Sequence, residues 1–277
     1  MNLTDRLLIE LARPVPLRSR IIRKLVRRFP VGSYEARLRS GALDRPWYAW
    51  CMYQAALEAR VLGHTAVTII EFGVAGGSGL LCLCKHRDEI QELINVAIRI
   101  VGFDSGQGLP ASQDPRDLLY CWPAGSFEMD RAKLERRIAG RAELIIGDVF
   151  ETVPAWSASQ DAPLGAVILD LDLYSSTSAA LGVLTTRNVL PRVWCYMDDI
   201  FGGPENAYAD NIGARAAVRD FNARPERAVC KDYLSQAYTF AGLESELWHQ
   251  QIFLYHRLAH PEYNVCVSGK HRLDLIR

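Results

Sequence analysis

The sequence has no apolar run long enough to span a bilayer as a helix. It has no excess of charge of either sign: 32 Lys and Arg stand against 32 Asp and Glu, for a formal net charge of +0. A chain without a basic surplus lacks the global term for phosphate-backbone binding, so nucleic acid is not expected as a partner. The N-terminus lacks the apolar segment and small-residue cleavage site of a signal peptide, and a cytoplasmic location is expected. Cysteine is sparse and scattered. The count of seven is odd, Cys82-x-Cys84 does not have a zinc-ligand spacing, and no second pair answers it. Cys51, Cys82, Cys84, Cys195 and Cys230 all lie in apolar contexts and are expected as buried, reduced thiols. There are no internal repeats and no low-complexity linker.

What is present is patterned. The 277 residues are 49% hydrophobic, enough for one large α/β domain or two small ones. The first thirty residues differ from the rest. "RLLIELARPVPLRSRIIRKLVRRF" mixes cations with Leu, Ile and Val at helical spacing, and Arg18, Arg20, Arg23, Lys24, Arg27 and Arg28 crowd one short segment. Such a basic amphipathic helix suits either an anionic membrane surface or a solvated face packed on a neighbouring subunit. A second helical zone, "DRPWYAWCMYQAALEARVL", opens with Asp44 as expected N-cap and Pro46 in the first turn. Its aromatics Trp47, Tyr48, Trp50 and Tyr53 are expected mostly in the core. From Thr65 strand and helix alternate. The strands are "TAVTIIEF", "IRIVGFD", "AELIIGD", "GAVILDLD", "RVWCYMDD" and "WHQQIFLYHRL", and the intervening helices include "SSTSAALGVLTTRNVL". β-branched runs separated by helices predict a mostly parallel sheet covered on both faces. The chain divides into an N-terminal helical extension, residues 1–64, and an α/β domain, residues 65–277. The stretch from Ser105 to Asp130 is long for a loop and is expected to be functional.

Ligands of open parallel sheets bind outside the C-terminal strand ends. The first such end, "TIIEFGVAGGSGL", closes with Glu71 and turns through Gly73, Gly76, Gly77 and Gly79 into a helix. A dinucleotide fingerprint needs G-x-G-x-x-G, but Gly77-x-Gly79 is followed by Cys82. A carboxylate at Glu71 sits badly beside a pyrophosphate and suits a cationic ligand such as S-adenosylmethionine. Asp104, ending the second strand, is placed to accept from ribose hydroxyls, and Asp148, ending the third, to accept from an adenine amine. Each has the plainer alternative of capping its own loop. Two further strands end in acid pairs, Asp170 with Asp172 and Asp198 with Asp199. Neighbouring carboxylates repel unless a cation neutralises them, and hard oxygen donors suit Mg²⁺. Asp172 is expected to be an outer acid or the cap of the helix at Ser175 and Ser176.

The motifs "EFGVAGGSG", "VGFDSGQGLP", "GDVFETVP", "LDLDLYSST" and "YMDDI" resemble, in this order, those of class I S-adenosylmethionine-dependent methyltransferases. They look most like the macrocin O-methyltransferase group, over residues 47–221. The resemblance implies a Rossmann-like, mostly parallel seven-stranded sheet. It implies a cofactor site of Glu71, Gly73, Gly77, Ser78, Asp104, Ser105, Asp148, Val149 and Asp170. It implies Mg²⁺, or another divalent cation, on Asp170, Asp198 and Asp199, with Asp170 also the general base. The product is then an O-methylated sugar, glycan or glycosylated natural product, formed by a homo-oligomer. The chain departs from that pattern at Leu171, where the group reads Gly, and at Gly106, where it commonly has an aromatic. Tyr120, Trp122 and Phe127 are candidates to stack on an acceptor or to pack a lid. Two rival readings remain: a catechol-like phenolic O-methyltransferase and a non-catalytic S-adenosylmethionine-binding scaffold. His249 and His256, in the last strand pattern, are expected to be structural.

Overall fold

The computed structural model describes residues 17–203, 206, 208–239 and 246–267. The part of the basic N-terminal segment before Leu17 lies outside the described residues. Three helices come first: α1 (Leu17–Arg28), α2 (Tyr34–Arg39) and α3 (Pro46–Val61). Then follow β1 (Ala66–Phe72), α4 (Ser78–Ile94), β2 (Ala97–Asp104), α5 (Arg131–Ile138), β3 (Glu143–Ile146), α6 (Val149–Ser159) and β4 (Leu164–Leu169). The remainder is α7 (Tyr174–Ala180), β5 (Val189–Met197), α8 (Gly213–Ala223), α9 (Pro225–Cys230), β6 (Asp232–Gln236) and β7 (Ile252–Arg257).

The seven strands form one sheet in the order β3-β2-β1-β4-β5-β7-β6. All pairs are parallel except β5–β7 and β6–β7. The period-2 alternation of the strands sorts their side chains between two cores. Val67, Ile69, Ala166 and Ile168 join the cluster that holds α3 and α4, while Ile70, Phe72, Val167 and Leu169 join the one under α6, α7 and α8. Both faces are therefore buried, which is why the strands read as continuous apolar runs. Register then places the site. Phe72 pairs with Leu169 and Leu169 with Met197, so the residues that follow on β4 and β5, Asp170 and Asp198, leave the sheet at the same height.

Some local expectations are corrected. Asp44 does not cap α3. The N-cap is Arg45, held at φ 41 with no side-chain cap, and the Asp44 carbonyl oxygen instead lies 2.8 Å from His86 Nε2. The long helix after Asp172 stops at Ala180, passes through a 3₁₀ turn (Leu181–Thr185) around Gly182, and gives its last apolar residues to β5. Residues 247–251 form a 3₁₀ turn before β7, so His249 is not on a strand. Strand β6 was not foreseen, since it is a five-residue edge strand in which only Tyr233 and Leu234 are apolar. Cys51, Cys82, Cys84 and Cys195 are buried, but Cys230 is exposed at the end of α9.

Candidate active site

A cavity of about 1020 Å³ opens over the C-terminal ends of β1, β2, β4 and β5. Of the residues expected from sequence, Gly73, Ser78, Asp104, Ser105, Asp148, Val149, Asp170 and Asp198 line it. Glu71, Gly77 and Asp199 do not line it.

Gly73 has φ +82, and a Cβ there would fall 1.7 Å from the carbonyl oxygen of Asp170. Only glycine lets the β1 turn and the β4 end approach so closely. A Cβ on Gly79 would meet Glu71 Oε1 at 1.8 Å, so the first turn of α4 lies directly on the Glu71 carboxyl. Gly77 serves packing: a Cβ there would strike Leu134 of α5 at 2.1 Å.

Glu71 is 2% exposed. Its Oε1 accepts from the Tyr48 hydroxyl at 3.0 Å, while its buried Oε2 has no partner among the described residues. Burial raises its pKa to about 8, against the lowering effect of the Tyr48 hydrogen bond. A cationic ligand group beside it would remove much of that cost. Arg45, which sequence reasoning passed over, also lines the cavity. Its Nη2 donates to Ser78 Oγ at 2.8 Å, and its charge acts favourably on both Glu71 and Asp170.

Asp104 accepts two backbone amides, from Ala75 at 2.8 Å and Gly106 at 2.7 Å. A carboxylate has about four lone-pair positions, so roughly two remain for a ligand. Asp148 caps α6 by accepting the Phe150 amide at 2.9 Å. Ser105 Oγ donates to the Gly108 carbonyl at 2.6 Å and shapes its own turn. All three thus shape their own loops while lining the cavity.

On the other side of β1, one carboxylate oxygen each from Asp170, Asp198 and Asp199 lies within 4.8 Å of the others. Asp198 Oδ1 accepts from the Tyr196 hydroxyl at 2.7 Å. Asp199 Oδ2 accepts the amides of Leu171 at 3.1 Å and Asp172 at 2.8 Å, which locks the β4 loop to the β5 loop. No hydrogen bond occupies the Asp170 carboxyl among the described residues. Burial first, then Asp198 and Asp199, raises its pKa to about 8. Burial and Asp170 push Asp172 to about 7, and burial and Asp172 push Asp199 well up. Packed carboxyls this costly to ionise fit a divalent cation, which would stabilise their charged forms. Asp172 sits at φ +59 and does not cap α7.

That cap is Asp117, another residue missed from sequence. It is 0% exposed; its Oδ1 accepts the Ser175 amide at 2.7 Å, and its Oδ2 accepts the hydroxyls of Ser175 at 2.8 Å and of Ser112. It ties the Ser105–Asp130 stretch to the helix that follows Asp170 and Asp172. Trp122 and Phe127 line the cavity, and Trp122 Nε1 donates to the Tyr208 hydroxyl at 3.2 Å. Tyr120 does not line it; it is 70% exposed and bonds the Asn206 carbonyl at 2.9 Å. His249 closes a capping box with Glu246, and His256 Nδ1 lies 2.6 Å from the Tyr263 hydroxyl. Neither histidine lines the cavity.

Solved structures decide the fold family. The crystal structure of CalS11, calicheamicin methyltransferase, matches 93% of this chain and 91% of its own, with a TM-score of 0.53 and 22% identity. The chain has the class I methyltransferase fold. The apo structure of CalS11, described as a TDP-rhamnose 3'-O-methyltransferase, covers 93% of each chain at 22% identity with a TM-score of 0.44. The O-methyltransferase TomG from Streptomyces achromogenes, bound to S-adenosylmethionine, covers 92% of this chain and 95% of its own at 14% identity, with a TM-score of 0.39. No family model matches the sequence, and no curated protein does.

Proposed function

We propose that the chain is an O-methyltransferase that moves a methyl group from S-adenosylmethionine to a sugar hydroxyl, with a divalent cation, Mg²⁺ in the first place, on Asp170, Asp198 and Asp199. One observation carries this reading. The three acids converge within 4.8 Å beside a cavity that also holds the Gly73 turn, Asp104 and Asp148.

S-adenosylmethionine supplies a methyl group on a sulfonium, and a divalent cation acidifies and orients a hydroxyl. The chain's own residues do the rest. Asp104 has acceptor positions left for vicinal ribose hydroxyls, and Asp148 stands for the adenine amine. Glu71 and Arg45 offer opposite charges to the ammonium and carboxylate of the methionine portion. Asp170 takes the hydroxyl proton as the new C–O bond forms and the S–C bond breaks; its carboxyl lines the cavity with no competing hydrogen bond. A carboxylate is a weak base for an alcohol, so much of the required acidity would come from the cation that Asp170 helps to hold. Trp122 and Phe127 present aromatic surface on which a sugar face can pack.

Calorimetric titration of S-adenosylmethionine and Mg²⁺ into wild type and Asp198→Ala tests the site. The expected result is binding of both ligands to wild type and loss of the metal alone in the variant. Methyl transfer to a TDP-sugar is then assayed with and without a chelator. Binding of the cofactor with no metal at all would leave the acids structural and overturn the metal-assisted reading.

A further inference from the structure

A surface helix ordinarily turns its apolar stripe to the core and its charges to water. Helix α1 does the reverse. Its arginines hold it to the body: Arg23 Nη1 pairs with Glu246 Oε1 at 2.9 Å, and Arg27 Nη2 donates to the Gly41 carbonyl at 3.2 Å. Its apolar residues other than the half-buried Val26 face outward. Leu17, Ile21, Ile22 and Leu25 are 59%, 51%, 57% and 55% exposed, and Phe29, just after the helix, is 61% exposed. At 3.6 residues per turn these five share an arc of about 140°. No residue of α1 is buried.

The charge of α1 narrows what can meet this face. Its sequence, LRSRIIRKLVRR, carries six cations and no acid, within a chain of zero net charge. Arg18 and Arg28 project within the same arc near the two ends of the helix, Lys24 stands about 20° outside it, and all three are exposed. A second copy docked face to face would set these cations against their own kind. A soluble polyanion would satisfy the cations but has no use for the apolar row. An anionic bilayer satisfies both, because apolar side chains enter the headgroup–acyl boundary while cations stay at the phosphates. Among the described residues no helix is long and apolar enough to cross a membrane, so the contact is along the surface.

We propose that α1 docks the protein on an anionic membrane surface through the Leu17–Phe29 apolar row and its flanking cations. This stands apart from the methyl-transfer reading and does not depend on it.

The test is co-sedimentation of the full-length protein with phosphatidylcholine vesicles, with and without phosphatidylglycerol. Binding to the anionic vesicles is expected at least tenfold above the neutral ones, falling steeply with added salt. Two paired substitutions probe the two halves of the surface, Ile21→Ser with Leu25→Ser and Lys24→Glu with Arg28→Glu. Each is expected to lower the partition coefficient about tenfold or more, since each removes two groups that contribute to partition. Thermal unfolding should stay near wild type, because these side chains are exposed. Absence of binding to either vesicle overturns the proposal. So does binding that survives the serine pair, which would mean attraction to any polyanion. So does a wild-type dimer in light scattering that the serine pair dissociates, which would make the face a subunit contact.

Discussion

The carbonyl oxygen of Asp170 lies where a Cβ on Gly73 would stand, 1.7 Å away. The turn after β1 and the end of β4 are thus in backbone contact, and the proposed cofactor and metal halves of the site share one wall. Gly73→Ala must both adopt φ +82 with a side chain and push the Asp170 backbone aside. A loss of ~3 kcal/mol or more in unfolding free energy is expected. Cofactor and metal binding should weaken together in calorimetry. A variant that unfolds like wild type and binds both ligands would show that the two halves are independent.

Asp117 offers a separation of another kind. Asp117→Ala strands the Ser175 amide in a buried site and leaves two hydroxyls without their acceptor, at a cost of roughly 1–3 kcal/mol for the unsatisfied group. It also frees the Ser105–Asp130 stretch from α7. The acceptor KM should rise severalfold while the S-adenosylmethionine Kd moves less, because Asp104 is held at the end of β2 by the Ala75 and Gly106 amides and Asp148 follows β3. Asp117→Asn keeps an oxygen for the amide and should recover part of the loss. Equal weakening of both ligands would mean that the contact supports the fold as a whole.

How much of this was legible in advance follows from the range of each contact. Strand ends are local features. A β-branched run closing in acid marks Asp104, Asp170 and Asp198, which parallel pairing brings to the level of Gly73, while Glu71 lies two residues lower in β1, opposite Gly102 and Ile168. Asp117 was invisible because its partner Ser175 is 58 positions away, in a helix whose start looked capped by Asp172. Arg45 was hidden the same way, since Ser78 lies 33 positions on. Asp172 misled because an acid before Ser-Ser fits a cap, yet the chain enters the left-handed region there and carries its carboxyl toward Asp199 instead. Edge strand β6 had no apolar run to announce it.

Glu71 should leave a signature in the pH dependence of stability. Its pKa is raised from 4.5 to about 8, so the folded state holds a proton that the unfolded chain releases. That contribution is fully present below about pH 4.5 and is lost as pH climbs through about 8. Glu71→Gln should flatten this decline in urea unfolding between pH 5 and 9, on the order of 3 kcal/mol at the alkaline end. The same variant should bind S-adenosylmethionine more weakly. A decline as steep as in wild type would place the titrating group elsewhere.

Asp199 separates metal binding from loop anchoring. Its Oδ2 accepts the amides of Leu171 and Asp172, so the residue is both an expected ligand and the clasp between the β4 and β5 loops. Asp199→Asn keeps a carbonyl oxygen for those amides and removes the negative charge. It is expected to unfold close to wild type, to relieve the repulsion on Asp170, and to bind Mg²⁺ at least tenfold more weakly. Asp199→Ala loses charge and clasp together, and leaves two amides short of an acceptor. It should lose metal binding to a similar degree and in addition about 2 kcal/mol or more of stability. The pair is measured by magnesium titration alongside thermal unfolding. If Asn binds the metal as wild type does, Asp199 is a clasp only, and the ligand set reduces to Asp170 and Asp198.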